Sequence, residues 1–474
     1  MYVKTVNTIR PGPAGSGLFL GVLLGCQLML VMDVSVVTTA LPSIREGLGL
    51  STEGLSWVQN AYTLAFGGLL LLGARMGDRV GRRRALRGGT GLFGVASLAA
   101  GAAWGPGPLL AARAAQGVGA ALAAPSVLAF ISTGIAESAR RQRAVGLYSA
   151  VAGAGSSVGL VLGGVAATWP SWRAGLLVNV PVCVGVVALA PRCLPETGRG
   201  RGRLDIAGAI VATAAVGSIV FGLVWAAGHG WGHPTAIAPL GLGVVLVVAF
   251  AAIEVRAEQP ITPPRLFASR RRSMAYLARL LLVGGLFPLF FFLAQLLEGS
   301  MGFAALAAGA GYLPMTTTMF AGARSAPRLV RRVGERPVLV GGLLLATLAM
   351  AWLGRLGPGA TYLGSVVIPT ALVGAGVGVA FTVLTGAGMS GVDGRDAGAA
   401  AGLVNVAHQL GGTLGLAILV TVFAAARPDV ASGSEELTPA IGAALTGSAV
   451  LLALALLAAL ACPPTTARTG VTPR

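Results

Sequence analysis

The sequence contains few charged residues for its length. Asp, Glu, Lys and Arg make up 11% of its 474 residues, whereas a soluble domain carries roughly 25%. Hydrophobic residues account for 55%, and the mean hydropathy is +0.80. This composition excludes an ordinary soluble protein. It predicts an all-α polytopic membrane protein.

Lysine is almost absent and acidic residues are scarce. Lys4 is the one lysine among 34 basic residues, and 16 acids leave a formal net charge of +18. In a soluble chain such an excess would suggest nucleic-acid binding. Here the arginines lie in short loops between apolar spans, without interleaved aromatic residues. We therefore interpret the charge as a sign of membrane topology and expect no nucleic-acid partner.

The chain also lacks the patterns of a metal, disulfide or nucleotide site. Its four cysteines lie in spans or at their ends without metal-ligand spacing, and no Gly-x-x-x-x-Gly-Lys-Ser/Thr loop occurs. The spans offer only scattered polar residues, so an enzyme is disfavoured, and no loop is long enough for a sensor domain. We expect no cofactor, no metal and no catalytic residues.

Apolar windows of about 20 residues predict about fourteen spans. The first, at residues 17–41, is longer than a signal-peptide core and contains Asp33, so we expect it to be retained. The predicted layout is a cytoplasmic segment 1–16, a six-helix bundle 17–194, two inserted helices 195–256, a second six-helix bundle 257–462 and a cytoplasmic tail 463–474.

Basic residues divide unequally between the predicted loops. One side receives 28 of them and the other side four, and two further arginines, Arg113 and Arg279, fall within spans. Since cytoplasmic loops carry the excess of Lys and Arg, both termini are predicted to be cytoplasmic. The predicted location is the cell membrane, with the bilayer as a partner.

An arginine-rich loop separates the second and third spans. It reads GARMGDRVGRRRAL at residues 73–86, and Asp78 is its one acid. A similar segment, GARSAPRLVRRVGERPVL at residues 322–339, follows the tenth span. Two related six-span halves are typical of transporters that bind substrate at the interface between the halves.

Two charged residues are expected to share one depth inside the first bundle. Asp33 lies about 12 Å below the outer end of span one, and Arg113 lies about 9 Å below the outer end of span four. A carboxylate at such depth is usually functional and needs a partner. We therefore predict an Asp33–Arg113 ion pair, which binding of a proton to Asp33 would break.

Ordered motifs along nearly the whole chain resemble the major facilitator superfamily, in particular the fourteen-span drug:proton antiporters of the EmrB/QacA type. The motifs are MDVSVVTTALPSI (32–44), WVQNAYTLA (57–65), the arginine-rich loop, RAAQGVGAA (113–121), WRAGLLVNVP (172–181), LDIAGAI (204–210), PRLF (264–267) and GLVNVAHQLGGTLGLA (402–417). The order and spacing of these motifs carry the resemblance, since each alone is modest.

The resemblance implies roles for particular residues. Asp33 would bind the coupling proton and Arg113 would tune it. A conformational latch would close the cytoplasmic face, with Asp78 against the positive amino end of span thirteen near residues 399–402. The latch residues would be Gly73, Gly77, Asp78, Arg79, Gly81, Arg82 and Arg83. Candidate residues of the substrate cavity are Asn60, Tyr62, Gln116, Phe292, Gln295, Asn405 and His408.

Three positions depart from the family pattern, and one of them is Ala305 in GFAALAAG (302–309), where relatives often have proline. Span five reads GLVLGG at residues 159–164, with Leu160 where the antiporter motif has proline, which removes one argument for export. His408 stands where relatives commonly carry arginine, and a polar packing role is the main alternative to titration for it.

These features predict a proton-coupled efflux antiporter that exports hydrophobic small molecules, drugs or antibiotics. The alternative within transport is a dedicated exporter of one endogenous metabolite or self-made antibiotic. Few acids lie in the spans, so we expect neutral or singly charged lipophilic substrates.

Overall fold

A computed structural model describes residues 17–50, 52–168, 171–196, 206–257, 263–357, 359–426 and 437–462. Within these ranges the chain forms α-helices, short 3-10 and π-helical turns, and no strand. The segments 1–16 and 463–474, predicted to be cytoplasmic, lie outside the described residues.

Seven helices make up the first bundle, because the sixth predicted span is broken at Val178 into two helices. The helices are α1 (Gly17–Leu48), α2 (Thr52–Val80), α3 (Arg82–Gly101), α4 (Pro106–Gly134), α5 (Ser138–Thr168), α6 (Trp172–Leu177) and α7 (Asn179–Cys193).

Two inserted helices precede the second bundle. They are α8 (Ile206–His229) and α9 (Pro234–Arg256). The second bundle contains α10 (Arg270–Gln295), α11 (Ala305–Ala310), α12 (Leu313–Val333), α13 (Glu335–Leu353), α14 (Val367–Gly388), α15 (Ala397–Ala425) and α16 (Leu437–Leu460). π-helical turns at Leu296–Ser300 and Tyr362–Val366 extend α10 and precede α14.

A helix covers the centre of each of the fourteen predicted spans, which lie near residues 29, 64, 96, 118, 156, 183, 216, 245, 285, 315, 346, 373, 413 and 450. Among the described residues, nine helical segments are long and apolar enough to cross a membrane. α2, α3, α5 and α12 carry arginines at one end, and the apolar part of α8, Ile210–Ala226, is short. The number fourteen and the cytoplasmic position of the termini therefore stay predictions.

The two bundles pack by the same pattern. In the first bundle, α2 packs on α4 and α1 packs on α5. In the second bundle, the equivalent pairs are α12 on α14 and α10 on α15. Across the interface between the bundles, α2 packs on α15 and α5 packs on α12. Since α12 is the equivalent of α2 and α15 the equivalent of α5, the same contact occurs twice, once from each bundle. The end of the molecule that carries residues 73–86 is called the arginine-rich end below.

Glycines with positive φ form equivalent junctions in the two halves. Gly81, between α2 and α3, has φ of 106°, and Gly334, between α12 and α13, has φ of 91°. A side chain is strained at such angles, whereas glycine adopts them readily. The two related arginine-rich segments thus end one helix and begin the next in the same way.

A row of small residues brings α5 close to α1 beside Asp33. Gly159 lies against the Met32 carbonyl, and a methyl group at Gly163 would overlap Thr39 Oγ1 and the backbone of Val36. Glycines at every fourth position let two helices approach closely. This contact fixes the part of α1 that carries Asp33.

The inserted helices form a hairpin against the outside of the interface. α8 packs on α2 and α15, one helix from each bundle, while α9 packs mainly on α8. The outer face of α9 exposes Val244, Val245 and Val248 by 61–65%. An apolar face of this kind is suited to contact lipid.

We predict that Gly163→Leu lowers the unfolding temperature of the detergent-purified protein. The added side chain must displace α1 from α5, and such overpacking costs about 1–3 kcal/mol. Gly21→Leu is the matched control, because a Cβ at this exposed α1 position meets nothing within 4 Å. Equal unfolding temperatures for the two variants would contradict the close α1–α5 packing.

Candidate functional site

Asp33 and Arg113 form an ion pair in the interior of the first bundle. Arg113 Nη1 on α4 donates to Asp33 Oδ2 on α1 at 2.6 Å, and both side chains are 0% exposed. The structure thus brings together the two charges that the depth argument placed at one level.

The Asp33 carboxylate also accepts hydrogen bonds from two amides. Asn179 Nδ2 donates to Oδ1 at 2.7 Å, and Gln116 Nε2 donates to the same oxygen at 3.3 Å. Asn179 is the first residue of α7, directly after the break at Val178. Since buried charges are tolerated only when paired and hydrogen-bonded, these amides add to the compensation that Arg113 gives the buried carboxylate.

Arg113 is held by three further contacts. Its Nε donates to the Val58 carbonyl of α2 at 3.0 Å, and Nη1 also donates to Gln116 Oε1 at 2.8 Å. The guanidinium carbon lies 4.7 Å from the centre of the Tyr62 ring, a cation–π contact. Nη2 is buried without a hydrogen-bond partner. Most, but not all, of the donors of Arg113 are satisfied.

Gln116 connects this cluster to α3. Its Nε2 donates to Ser97 Oγ at 2.8 Å, and Ser97 Oγ donates to the Phe93 carbonyl at 2.8 Å. Asn179 and Ser97 were not among the predicted site residues. Asn179 stands in the motif at 172–181, which was the available signal, whereas nothing in the sequence distinguishes Ser97 from other serines.

A second charged contact joins the two bundles at the arginine-rich end. Arg82 Nε and Nη2 donate to Asp78 Oδ1 at 3.3 and 3.1 Å, and Nη2 also donates to the Gly394 carbonyl of the second bundle at 2.9 Å. Both Asp78 oxygens lie against Gly398, in the first turn of α15. The positive end of that helix faces the carboxylate, and Arg82 supplies the cation.

The other latch residues contact the first bundle or solvent. Gly73 and Gly77 pack on α4, at Ala121 and Ser126, and Gly81 forms the junction before α3. Arg83 donates to Glu196 and to carbonyls at the end of α7, and Arg79 is exposed. Asp78 and Arg82 thus contact the second bundle directly.

The predicted cavity residues do not form one group. Tyr62 and Gln116 belong to the Asp33–Arg113 cluster. Asn60, Gln295, Asn405 and His408 are partly exposed. Phe292 is 0% exposed and packs on Phe423, so it lies in the core of the second bundle and not on an open surface. The His408 ring packs edge-on against Phe287 and Phe381.

Leu160 lies in the helical part of α5, but its side chain lies outside the described residues. Within the described ranges, no group of three or more His, Cys, Asp or Glu side chains is placed to hold a metal ion.

Comparisons with known proteins give one consistent result. The sequence profile of the Major Facilitator Superfamily matches residues 23–416. The cephamycin export protein CmcT of Amycolatopsis lactamdurans is 40% identical over 96% of this chain and 94% of its own length. The puromycin resistance protein pur8 of Streptomyces alboniger is 42% identical over 85% and 80%. The fold resembles that of the proton:xylose symporter XylE, with a TM-score of 0.67 and 13% identity over 94% and 96% of the two chains.

We predict that Asp33→Asn and Arg113→Gln each destabilise the protein and that the double variant is more stable than the sum of the two effects implies. Removing one partner of a buried ion pair leaves the other charge uncompensated and lowers the free energy of unfolding by about 3–5 kcal/mol. Removing both partners leaves no lone charge, so the two effects should not add. Unfolding temperatures of the four proteins in one detergent provide the cycle. Strictly additive shifts would contradict the buried pair.

Proposed function

Since the chain belongs to the Major Facilitator Superfamily, we propose that it is an efflux antiporter of the cell membrane, which exports hydrophobic small molecules, antibiotics among them, in exchange for protons. Relatives that match most of the chain are named for export of cephamycin and resistance to puromycin, which supports export and this substrate class. The buried Asp33–Arg113 pair is the observation that carries proton coupling.

Asp33 is the proposed proton-binding acid. A proton on Asp33 removes its negative charge, so the ion pair with Arg113 is lost and the cluster must rearrange. The deprotonated state accompanies substrate uptake from the cytoplasm, and the protonated state accompanies release outside. Return of the proton supplies about 2.3 kcal/mol per charge for each 100 mV of membrane potential.

Asp78 and Arg82 are the proposed latch of the cytoplasmic face. Their contacts with Gly398 and Gly394 hold the junction of α2 and α3 against the start of α15 and the turn before it. Opening toward the cytoplasm must separate these groups, because they belong to different bundles. The segment of residues 73–86, which is the end of α2, Gly81 and the start of α3 and not the loop that the sequence predicted, thus carries the proposed gate as well as topogenic charge.

The finer assignment is the fourteen-span EmrB/QacA type, with a 6 + 2 + 6 arrangement and both termini cytoplasmic. α8 and α9 supply the inserted pair, and the clustering of arginines at one end supports the orientation. A dedicated exporter of one self-made antibiotic remains the alternative, which the cephamycin-exporting relative favours.

We predict that Asp78→Asn loosens the latch. Amide hydrogen exchange in residues 397–404, at the start of α15, should accelerate roughly two- to thirtyfold, because helix-terminus and charged hydrogen-bond contacts contribute about 0.5–2 kcal/mol. Glu137→Gln is the control, because this exposed acid lies at the same end of the molecule and pairs with the nearby Arg140 of the first bundle. Unchanged exchange in Asp78→Asn would remove the latch from the proposal.

The antiport itself is tested in inside-out vesicles with an acidic lumen. Puromycin, a cephamycin and a panel of lipophilic dyes are added one at a time, and the lumenal pH is followed with a fluorescent indicator. Wild type and Glu137→Gln should release protons when a substrate is added. Asp33→Asn should release protons no faster than the leak without substrate, because an asparagine amide has no carboxylate to take up and give up the proton.

Two results would contradict different parts of this proposal, the first the role of Asp33 and the second the exchange of protons. Equal proton release by wild type and Asp33→Asn would keep the antiporter and remove Asp33 as the coupling acid. Absence of release with every compound, in vesicles that hold the gradient and contain folded protein, would contradict proton exchange.

A further inference from the structure

Arg279 is a second arginine buried in the helical bundle. It lies on α10, about 14 Å along the helix from Arg270 at the arginine-rich end, and its side chain is 2% exposed. Within the described ranges no carboxylate lies within ion-pair distance of it. It differs in this from Arg113, whose charge Asp33 balances.

The contacts of Arg279 leave donor capacity unused. Nη1 donates to Thr385 Oγ1 on α14 at 2.6 Å, and the guanidinium carbon lies 4.0 Å from the centre of the Phe381 ring. Nε is buried and has no hydrogen-bond partner. A guanidinium has five N–H donors in a planar fork, so one hydroxyl and one aromatic face do not satisfy it.

Two further polar groups face the same region. The ring centre of His408 on α15 lies 5.7 Å from that of Phe381, and its Nδ1 is buried without a partner. Tyr148 on α5, from the first bundle, is close enough to Arg279 for an electrostatic interaction. Arg279 therefore lies where α5 of one half packs on α14 of the other.

An uncompensated buried cation is costly, and in a membrane bundle such residues usually face the pathway of the transported species. The remaining donors of Arg279 match the two oxygens of a carboxylate, which arginine binds through parallel hydrogen bonds. Phe381, whose ring lies against the guanidinium, and Phe287 both pack edge-on against His408, so the surroundings of Arg279 and His408 are apolar.

We propose that Arg279 is the anion-binding residue of the substrate site and that the exporter takes amphiphilic carboxylates, with Arg279 and His408 at the carboxylate and the phenylalanines at the apolar part. This inference rests on the proposed export function and narrows its substrate class. The expected preference is for the ionised acid over a neutral analogue of the same shape.

The test measures binding to the purified full-length protein in detergent at one pH. The probes are dansyl-phenylalanine, pyrenebutyric acid and coumarin-3-carboxylic acid, each paired with its primary amide, and fluorescence anisotropy reports binding. Wild type should bind at least one acid about tenfold or more tightly than its amide, because charge-assisted hydrogen bonds are the strong ones.

Three variants locate the effect. Arg279→Gln should bind the acid and the amide equally and keep the affinity for the amide. Arg279→Lys keeps a charge without the planar fork, so it should retain a reduced preference. Arg271→Gln is the matched control on the same helix, because Arg271 already pairs with Glu335, and it should behave as wild type.

Equal affinity of wild type for acid and amide in all three pairs would overturn the inference, and so would absence of saturable binding of any acid. A full preference retained in Arg279→Gln would overturn the assignment of this residue. The measurement needs neither a membrane nor a proton gradient. Failure here is therefore distinct from failure of antiport in vesicles.

Discussion

The low polarity of the bundle interior is the constraint on which the rest of this structure depends, and the Asp33–Arg113 ion pair is where it acts most strongly. Two unit charges with no exposed surface are stable there only if they pair with each other and most of their oxygens and N–H groups have partners. Five helices meet this demand. α1 and α4 carry the charges, α2 and α7 supply Val58 and Asn179, and α3 supplies Ser97 behind Gln116. The glycines of α5 then hold α1 in place from the other side.

α4 connects this cluster to the contact between the bundles. The helix carries Arg113 near one end and, twenty residues or about 30 Å further along, Thr133, whose hydroxyl accepts from Arg82 Nη1 at 3.0 Å. Arg82 in turn bonds to Gly394 of the second bundle. A shift of α4 on protonation of Asp33 would therefore reach the latch through one continuous element. Each step from Asp33 to Gly394 is a contact seen in the structure. Coupling of the proton site to the latch further requires that α4 adopt two positions.

The sequence predicted charged contacts better than neutral ones, for a physical reason. Charges are rare inside these spans, and the rise of a helix gives their depth, so Asp33 and Arg113 could be paired without a structure. Asn179 and Ser97 could not be found this way, because their roles depend on how each helix is rotated about its axis. The contact of Asp78 with the start of α15 was expected near residues 399–402 and lies at Gly398. Phe292 shows the opposite case, since a run of phenylalanines does not reveal which rings face the core.

In the part of the chain that the structure describes, the buried arginine of the first bundle is paired with an acid and that of the second bundle is not. This difference limits how proton binding can be coupled to substrate release. In the first bundle the cation has its acid, whereas Arg279 in the second has none among the described residues. A proton that neutralises Asp33 makes the interior more positive, which by charge alone strengthens the binding of an anion near Arg279. A proton and a carboxylate substrate therefore do not compete for one charged site, and binding of the proton does not by its charge displace the carboxylate. If Arg279 binds one, exchange must come from the conformations of the two bundles. In the proposed cycle, release follows from protonation of Asp33, which breaks the pair in the first bundle. α5 of that bundle packs on α14, which carries Thr385 beside Arg279, so a movement of the first bundle can reach the proposed anion site.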